Sequence, residues 1–202
     1  FITVRHLGNF KKLNCRFLVG ADGANSIVRK LLGLGFDGFT YKEKFLTLST
    51  EYNVAEHFEN LAYVNYVSDP KHWFVLLKAP SAWRILVPVD EKIEDDFILS
   101  DNYIASVFQK ILKTNEKVST VHRTIYRVHQ RVVTKMTHGR VLLAGDSAHL
   151  NNPLGGFGMN GGLHDAWNLA EKLKEILNAS AKIDLLDLYD RQRRTIMNDF
   201  IQ

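Results

Sequence analysis

The run from Gly139 to Leu173, GRVLLAGDSAHLNNPLGGFGMNGGLHDAWNLAEKL, restricts the fold more than any other part of the chain. It opens with a short continuous apolar strand, the pattern of a strand covered on both faces of an α/β sheet. The strand stops at Gly145-Asp146. After a glycine-rich bend, Leu163, Ala166, Trp167, Ala170, Leu173 and Leu177 fall at helical spacing, which predicts a helix starting near Gly161. The same order occurs near the start of the chain. There CRFLVG ends in ADGANS, and Ile27, Val28, Leu31 and Leu32 take the spacing of one helical face. Two strand-to-turn junctions, each closed by an aspartate, predict one α/β unit that presents carboxylates at the carboxyl ends of its strands, where such sheets bind ligands.

The bend itself, PLGGFGMNGG, spells G-x-G-x-x-G from Gly156, yet its context excludes a dinucleotide fingerprint. That motif follows its strand directly and leads through one helix into a second strand. Here the strand ends near Ala144, and a second helix follows, carried by Leu185, Leu188, Tyr189, Ile196 and Phe200. GDSAH resembles a nucleophile elbow, but only His164 follows it, so no acid and histidine come later in the required order. No Gly-Lys-Ser/Thr follows the glycines, and the eight histidines and single cysteine form no ligand spacing for a metal. His149 reads as structural. What remains is a loop whose missing side chains let backbone N–H groups approach a flat ligand, with a helix N-terminus behind it that favours negative charge.

The middle of the chain has a different character. FLTLSTEY, LAYVNYVS, HWFVLLKA and AWRILVPVD alternate or cluster β-branched and aromatic residues, predicting about four antiparallel strands. Residues 101–114 read as a helix with Asp101 as N-cap, and STVHRTIYRVHQRVV as a further extended segment. FITVRHL and CRFLVG read as a hairpin joined through GNFKKLN. The expected organisation is residues 1–40 and 131–202 in one α/β unit, with residues 41–130 inserted as a sheet and helix. Tyr52, Tyr63, Tyr66, Trp73, Phe74 and Trp83 suit a sheet covering an aromatic substrate, and no one of them stands out.

The net charge of +4 comes from interspersed Lys and Arg, with no run of five like charges. This favours an anionic small ligand over nucleic acid. Cys15 is the sole cysteine, so an internal disulfide is excluded and a reducing, cytoplasmic setting is expected. No apolar run reaches the length of a membrane span, while peripheral membrane association stays open. Phe1 begins inside a strand pattern and the last helical pattern runs to Gln202 without a cap, which is the expectation for a fragment.

GADGANSIVR is similar to a G-x-D-G-x-x-S-x-x-R element, and the long run from Gly145 is similar to the G-D element of the same proteins. With weaker likeness through WRILVPVD, YRVHQR and YDRQRR, the chain resembles the class A flavin-dependent aromatic hydroxylases, the p-hydroxybenzoate hydroxylase-like family. The resemblance implies a mixed α/β fold: part of that family's FAD-binding fold with an inserted antiparallel substrate-domain sheet. It implies FAD as cofactor, NADH or NADPH as co-substrate, O₂, and a small phenolic substrate; a homodimer stays open. Asp146 would hold the ribityl chain, the Pro153 region would lie against the flavin ring, and backbone amides near Gly158, Met159 and Asn160 would meet the ring's N1/C2 edge, with Gly145 and Gly156 also among the cofactor-binding residues. Asp22, Gly23 and Arg29 would belong to the element linked to the pyrophosphate side and to nicotinamide use. The family's first fingerprint, a strand and G-x-G-x-x-G for the ADP end of FAD, is absent from this sequence. Weak FAD binding or none is therefore expected of the chain alone. An epoxidase or halogenase of the same cofactor, or a non-catalytic binding remnant, are the alternatives. AWRILVP lacks the second tryptophan of the halogenases.

Overall fold

The computed structural model describes residues 1–153 and 156–201, except for the side chain of Ile201. Leu154 and Gly155, within the predicted flavin loop, and Gln202 lie outside the described residues. In chain order the elements are β1 (Ile2–His6), β2 (Asn9–Leu13), β3 (Leu18–Gly20), α1 (Ile27–Leu31), β4 (Phe36–Thr50), β5 (Val64–Val67), β6 (Phe74–Lys78), β7 (Trp83–Val89), α2 (Asp95–Ile98), α3 (Asp101–Leu112), β8 (His122–Val133), β9 (Thr137–His138), β10 (Val141–Leu143), β11 (His149–Leu150), α4 (Phe157–Leu177) and α5 (Leu185–Ile201). Short 3-10 turns occupy Val54–His57 and Gly145–Ser147. The chain forms two compact units, residues 1–39 with 129–202, and residues 40–128.

In the first unit β3 and β10 run parallel, with Leu18, Val19 and Gly20 opposite Val141, Leu142 and Leu143. This register brings the two aspartate turns side by side, because both strands end at the same level. β9 adds antiparallel to the far side of β10. Val133, Met136, Leu142, Leu143, Leu169, Leu186 and Tyr189 form the core beneath them. The hairpin differs from the sequence expectation. β1 pairs with β2, not with the run ending at Gly20, because Leu7 and Gly8 both take positive φ (48° and 83°) and close a two-residue turn.

Tyr189 of α5 is fully buried, and its hydroxyl donates to the Leu143 carbonyl at 2.7 Å, at the end of β10. Tyr189→Phe is expected to lower stability by about 1–2 kcal/mol in urea unfolding, since the carbonyl is left buried without its donor.

The second unit follows the expected pattern. Its antiparallel sheet has the order β8-β4-β7-β6-β5, and α3 packs Ile104, Val107, Phe108 and Ile111 against Leu46, Leu48, Leu76 and Ile85. The N-cap of α3 is Ser100, whose side chain accepts from the Tyr103 amide, in place of the expected Asp101. Phe74 and Trp83 pack in this core, whereas Tyr63 and Tyr66 are exposed, and Tyr52 is tied to His57 and Glu116.

Two helices turn a different face inward from the one their apolar spacing predicts. In α1, Ile27 and Leu31 of the expected face are exposed and Val28 packs against the core, while Arg29 is buried. In α4 the first part of the expected stripe is outside, with Leu163 61% and Trp167 72% exposed, and Leu173 packs against the core, while Gly161, Asp165, Leu169, Lys172 and Ile176 are buried. Polar tethers described below fix both faces. α4 also starts at Phe157, four residues before the predicted Gly161.

Candidate functional site

The site is assembled where β3 and β10 end. After Gly20 the chain turns through Asp22 and Gly23, and Gly23 takes a φ of +79°. Asp22 accepts from the amides of Ile27 (2.7 Å) and Val28 (3.2 Å), and Ser26 accepts from Arg29 N at 2.9 Å. Both residues therefore cap α1. Slight burial raises the Asp22 pKa, but the hydrogen bonds from Ser26 and the backbone outweigh it and hold the carboxyl below its ordinary range.

Arg29 is buried and spends its guanidinium on two carbonyls, Ala24 at 2.6 Å and Ser147 at 2.9 Å, while lying 3.9 Å from the Phe36 ring centroid. It staples the first aspartate turn to the second. Ser147 completes the staple. Its buried hydroxyl lies within hydrogen-bond reach of the carbonyls of Gly20 and Ala144.

The second turn is shaped by Gly145, at φ +63°, a conformation that a side chain would strain. Its N–H donates to Asp165 Oδ2 at 2.8 Å. Asp165, fully buried on α4, also takes His149 Nε2 at 2.6 Å on the same oxygen and Arg193 Nε at 2.6 Å on the other. Burial alone would raise its pKa; the contacts from His149, Arg193 and the Gly145 amide prevail and keep it ionised. Because an ionised carboxylate only accepts, the His149 Nε2 carries the proton.

Asp146, one residue on, is exposed, and no group among the described residues bonds its carboxylate. Of the two turn aspartates, it is the one without a partner among the described residues. α4 lies close to this turn: a Cβ on Gly162 would come within 3.4 Å of Gly145 Cα, and one on Gly161 within 3.2 Å of the His149 ring. These two glycines serve helix packing, so not all glycines after Pro153 act to admit a flat ligand. Gly156, at φ +73°, is the N-cap of α4, has no side-chain cap bond, and accepts from the Asn160 side chain at 2.8 Å. The N–H groups of Phe157, Gly158 and Met159 thus belong to an uncapped first helical turn. A Cβ on Gly158 would meet nothing within 4 Å, and Met159 is 76% exposed. Pro153 is exposed just before the undescribed pair.

The arrangement fits a flavin. It offers an exposed carboxylate that no described residue bonds, available to hydroxyl groups, and a helix start without a side-chain cap, whose amides favour an electron-rich heterocycle edge. Of the expected site residues, Gly145 and Asp146 lie on the turn against which Gly162 of α4 packs, Gly156, Gly158, Met159 and Asn160 lie at the start of that helix, and Asp22 and Arg29 are engaged in shaping the neighbouring turn. Ser147, Asp165 and Arg193 are the residues that the sequence reading passed over. Among the described residues no His, Cys, Asp and Glu group could hold a metal ion, and no helix is long and apolar enough to cross a membrane.

The FAD binding domain family matches residues 1–202. The para-nitrophenol 4-monooxygenase of Pseudomonas sp. (strain WBC-3) is 35% identical over 198 residues, covering 96% of this chain and 48% of that protein. The pentachlorophenol 4-monooxygenase of Sphingobium chlorophenolicum is 30% identical, covering 96% of this chain and 36% of its own length. Among solved structures, p-nitrophenol 4-monooxygenase from Pseudomonas putida DLL-E4 superposes with a TM-score of 0.80 at 33% identity, over 92% of this chain and 47% of that one. Aklavinone-11 hydroxylase, in complex with FAD and aklavinone, gives 0.82 at 25% identity, over 92% and 36%. The chain spans about half the length of the first of these relatives, or less for the others. With the paired aspartate turns, the p-hydroxybenzoate hydroxylase-like fold and a match along its whole length, the chain belongs to the FAD binding domain family of class A flavin-dependent aromatic monooxygenases.

Proposed function

We propose that the protein carrying this chain is a FAD-dependent monooxygenase that hydroxylates a small phenolic ring with NADH or NADPH and O₂. One oxygen atom enters the ring, the other leaves as water, and the nicotinamide supplies the two electrons. When bound, the flavin supplies the oxygen activation. The chain's own residues bind and orient it. Asp146 would take ribityl hydroxyls, Gly145 sets the turn, Pro153 and Gly156 would lie at the ring, and the amides of Gly158 and Met159 would favour charge at its N1/C2 edge, with the Asn160 side chain bracing the Gly156 carbonyl. Asp22, Gly23 and Arg29 hold the neighbouring turn in register.

The observation that carries this reading is the exposed Asp146 carboxylate, which no described residue bonds, on the turn against which α4 packs. The relatives named for nitrophenol and chlorophenol favour a phenolic substrate over an epoxidase or halogenase reaction. The single exposed cysteine suits the cytoplasm.

The test is to purify the protein in its full natural length and record its visible spectrum, then NAD(P)H oxidation with a panel of phenols. Bound flavin and substrate-dependent oxidation yielding a hydroxylated ring are expected. Preparations that neither retain FAD nor bind it when it is added would overturn the assignment.

A further inference from the structure

We propose that Asp165 is the positioning residue that presets the Gly145-Asp146 turn for flavin, an inference that rests on the function proposed above. Asp165 does not face the ligand. It lies fully buried on α4, and its acceptors are divided between two jobs. Oδ1 takes Arg193 Nε, which ties α4 to α5, and Arg193 also donates to the Gly161 carbonyl at 3.2 Å. Oδ2 takes the Gly145 N–H and His149 Nε2, which ties α4 to the ends of the turn that carries Asp146.

Packing two helices does not require the second job. Leu169 and Ile176 of α4 already pack in the core that holds Leu186 and Tyr189 of α5. A buried carboxylate is costly unless every oxygen is satisfied, and apolar residues of similar volume often replace such a pair without loss of stability. Retention of a charge here is explained if its geometric product is needed. That product is a backbone amide fixed at a positive-φ residue immediately before the free acid. With Gly145 held at one end and His149 at the other, Asp146 projects outward while Ser147 is drawn in by Arg29. The groups facing the carboxylate are Arg193, His149 and the Gly145 amide, and Asp190 and Tyr189 of α5 stand close enough to couple to the cluster.

Two double variants separate positioning from helix packing, because each removes the buried charge pair. Asp165→Asn with Arg193→Met keeps a carbonyl oxygen for Gly145 and His149. Asp165→Leu with Arg193→Met keeps none. Thermal unfolding and FAD affinity, by flavin fluorescence, are measured on the full-length protein, with ADP affinity as a control for the other end of the cofactor. The Asn variant is expected to bind FAD nearly as the unsubstituted protein does. The Leu variant is expected to bind about tenfold more weakly, with ADP affinity unchanged in both. Equal FAD affinity in the two variants would overturn the proposal.

If either fails to fold, amide exchange in the unsubstituted protein decides. The Gly145 N–H is expected to be protected before any flavin is added, and fast exchange there would equally overturn it. An unsubstituted protein that binds no FAD defeats the functional reading instead, and the exchange of Gly145 still reports on Asp165.

Discussion

Replacing Asp146 by alanine is expected to weaken FAD binding about a hundredfold while changing unfolding stability by less than about 0.5 kcal/mol. The two halves of this expectation come from one fact: among the described residues nothing bonds the Asp146 carboxylate, and the side chain is exposed at the end of β10. Removing it breaks no contact within the protein. A hydrogen bond from a sugar-like hydroxyl to a carboxylate is worth about 1.5–3 kcal/mol, so two of them at the lower end of that range, or one near its upper end, account for the hundredfold loss. Asp146→Asn is expected to fall between, since the amide keeps an acceptor without the charge. Equilibrium titration of the flavin, beside a urea unfolding curve for each variant, measures both quantities. Unchanged affinity in Asp146→Ala would remove the carboxylate from the cofactor site, and a large stability loss would show that it has an unseen structural partner.

Much of this geometry is legible in the sequence, and the parts that are not have physical causes. The two strands ending in aspartate can be read because an apolar run that stops at Gly-Asp or Ala-Asp-Gly has few other uses. Their parallel pairing follows from the α/β pattern, as found for Leu18–Gly20 against Val141–Leu143. The hairpin register is not readable, since it depends on Leu7 adopting a left-handed conformation that leucine seldom takes.

The inward face of α4 misleads for a different reason. Hydrophobic periodicity assumes that apolar residues decide which face is buried, and Leu163 with Trp167 makes the stronger stripe. In the structure the close approach allowed by Gly161 and Gly162 and the three donors gathered by Asp165 decide it. A signal was present in the spacing of Gly161, Asp165, Leu169, Lys172 and Ile176, which recurs at helical intervals. Its value depends on Arg193 and His149, which are distant in the sequence, so it becomes evident only once the chain is folded. Arg29 poses the same problem on a smaller scale: an arginine in a short exposed helix reads as a solvated or ligand-binding residue, and its buried role follows from where Ser147 falls.

That burial sets the largest expected stability effect. Arg29→Ala should destabilise the protein by about 3–4 kcal/mol, a fall of about 10 °C in the midpoint of thermal unfolding. The guanidinium donates to Ala24 and Ser147 and stacks on Phe36, and its removal leaves both carbonyls without their donor next to a cavity. Two charge-assisted hydrogen bonds and a desolvated cation–π contact sum to somewhat more than this, and the lower figure allows for relaxation of the exposed Ala24 turn. Burial depresses the Arg29 pKa and Asp22 partly restores it, and the group stays charged throughout the working pH range, so the loss should be independent of pH near neutrality. Arg29→Lys should recover less than half, because a single ammonium cannot span two carbonyls that a planar fork reaches together. A loss below about 1 kcal/mol for the alanine variant would mean that the staple contributes nothing net. If instead the stability falls as expected and FAD binding weakens by the same factor in the lysine and alanine variants, the cofactor reads Arg29 directly rather than through the turn that it holds.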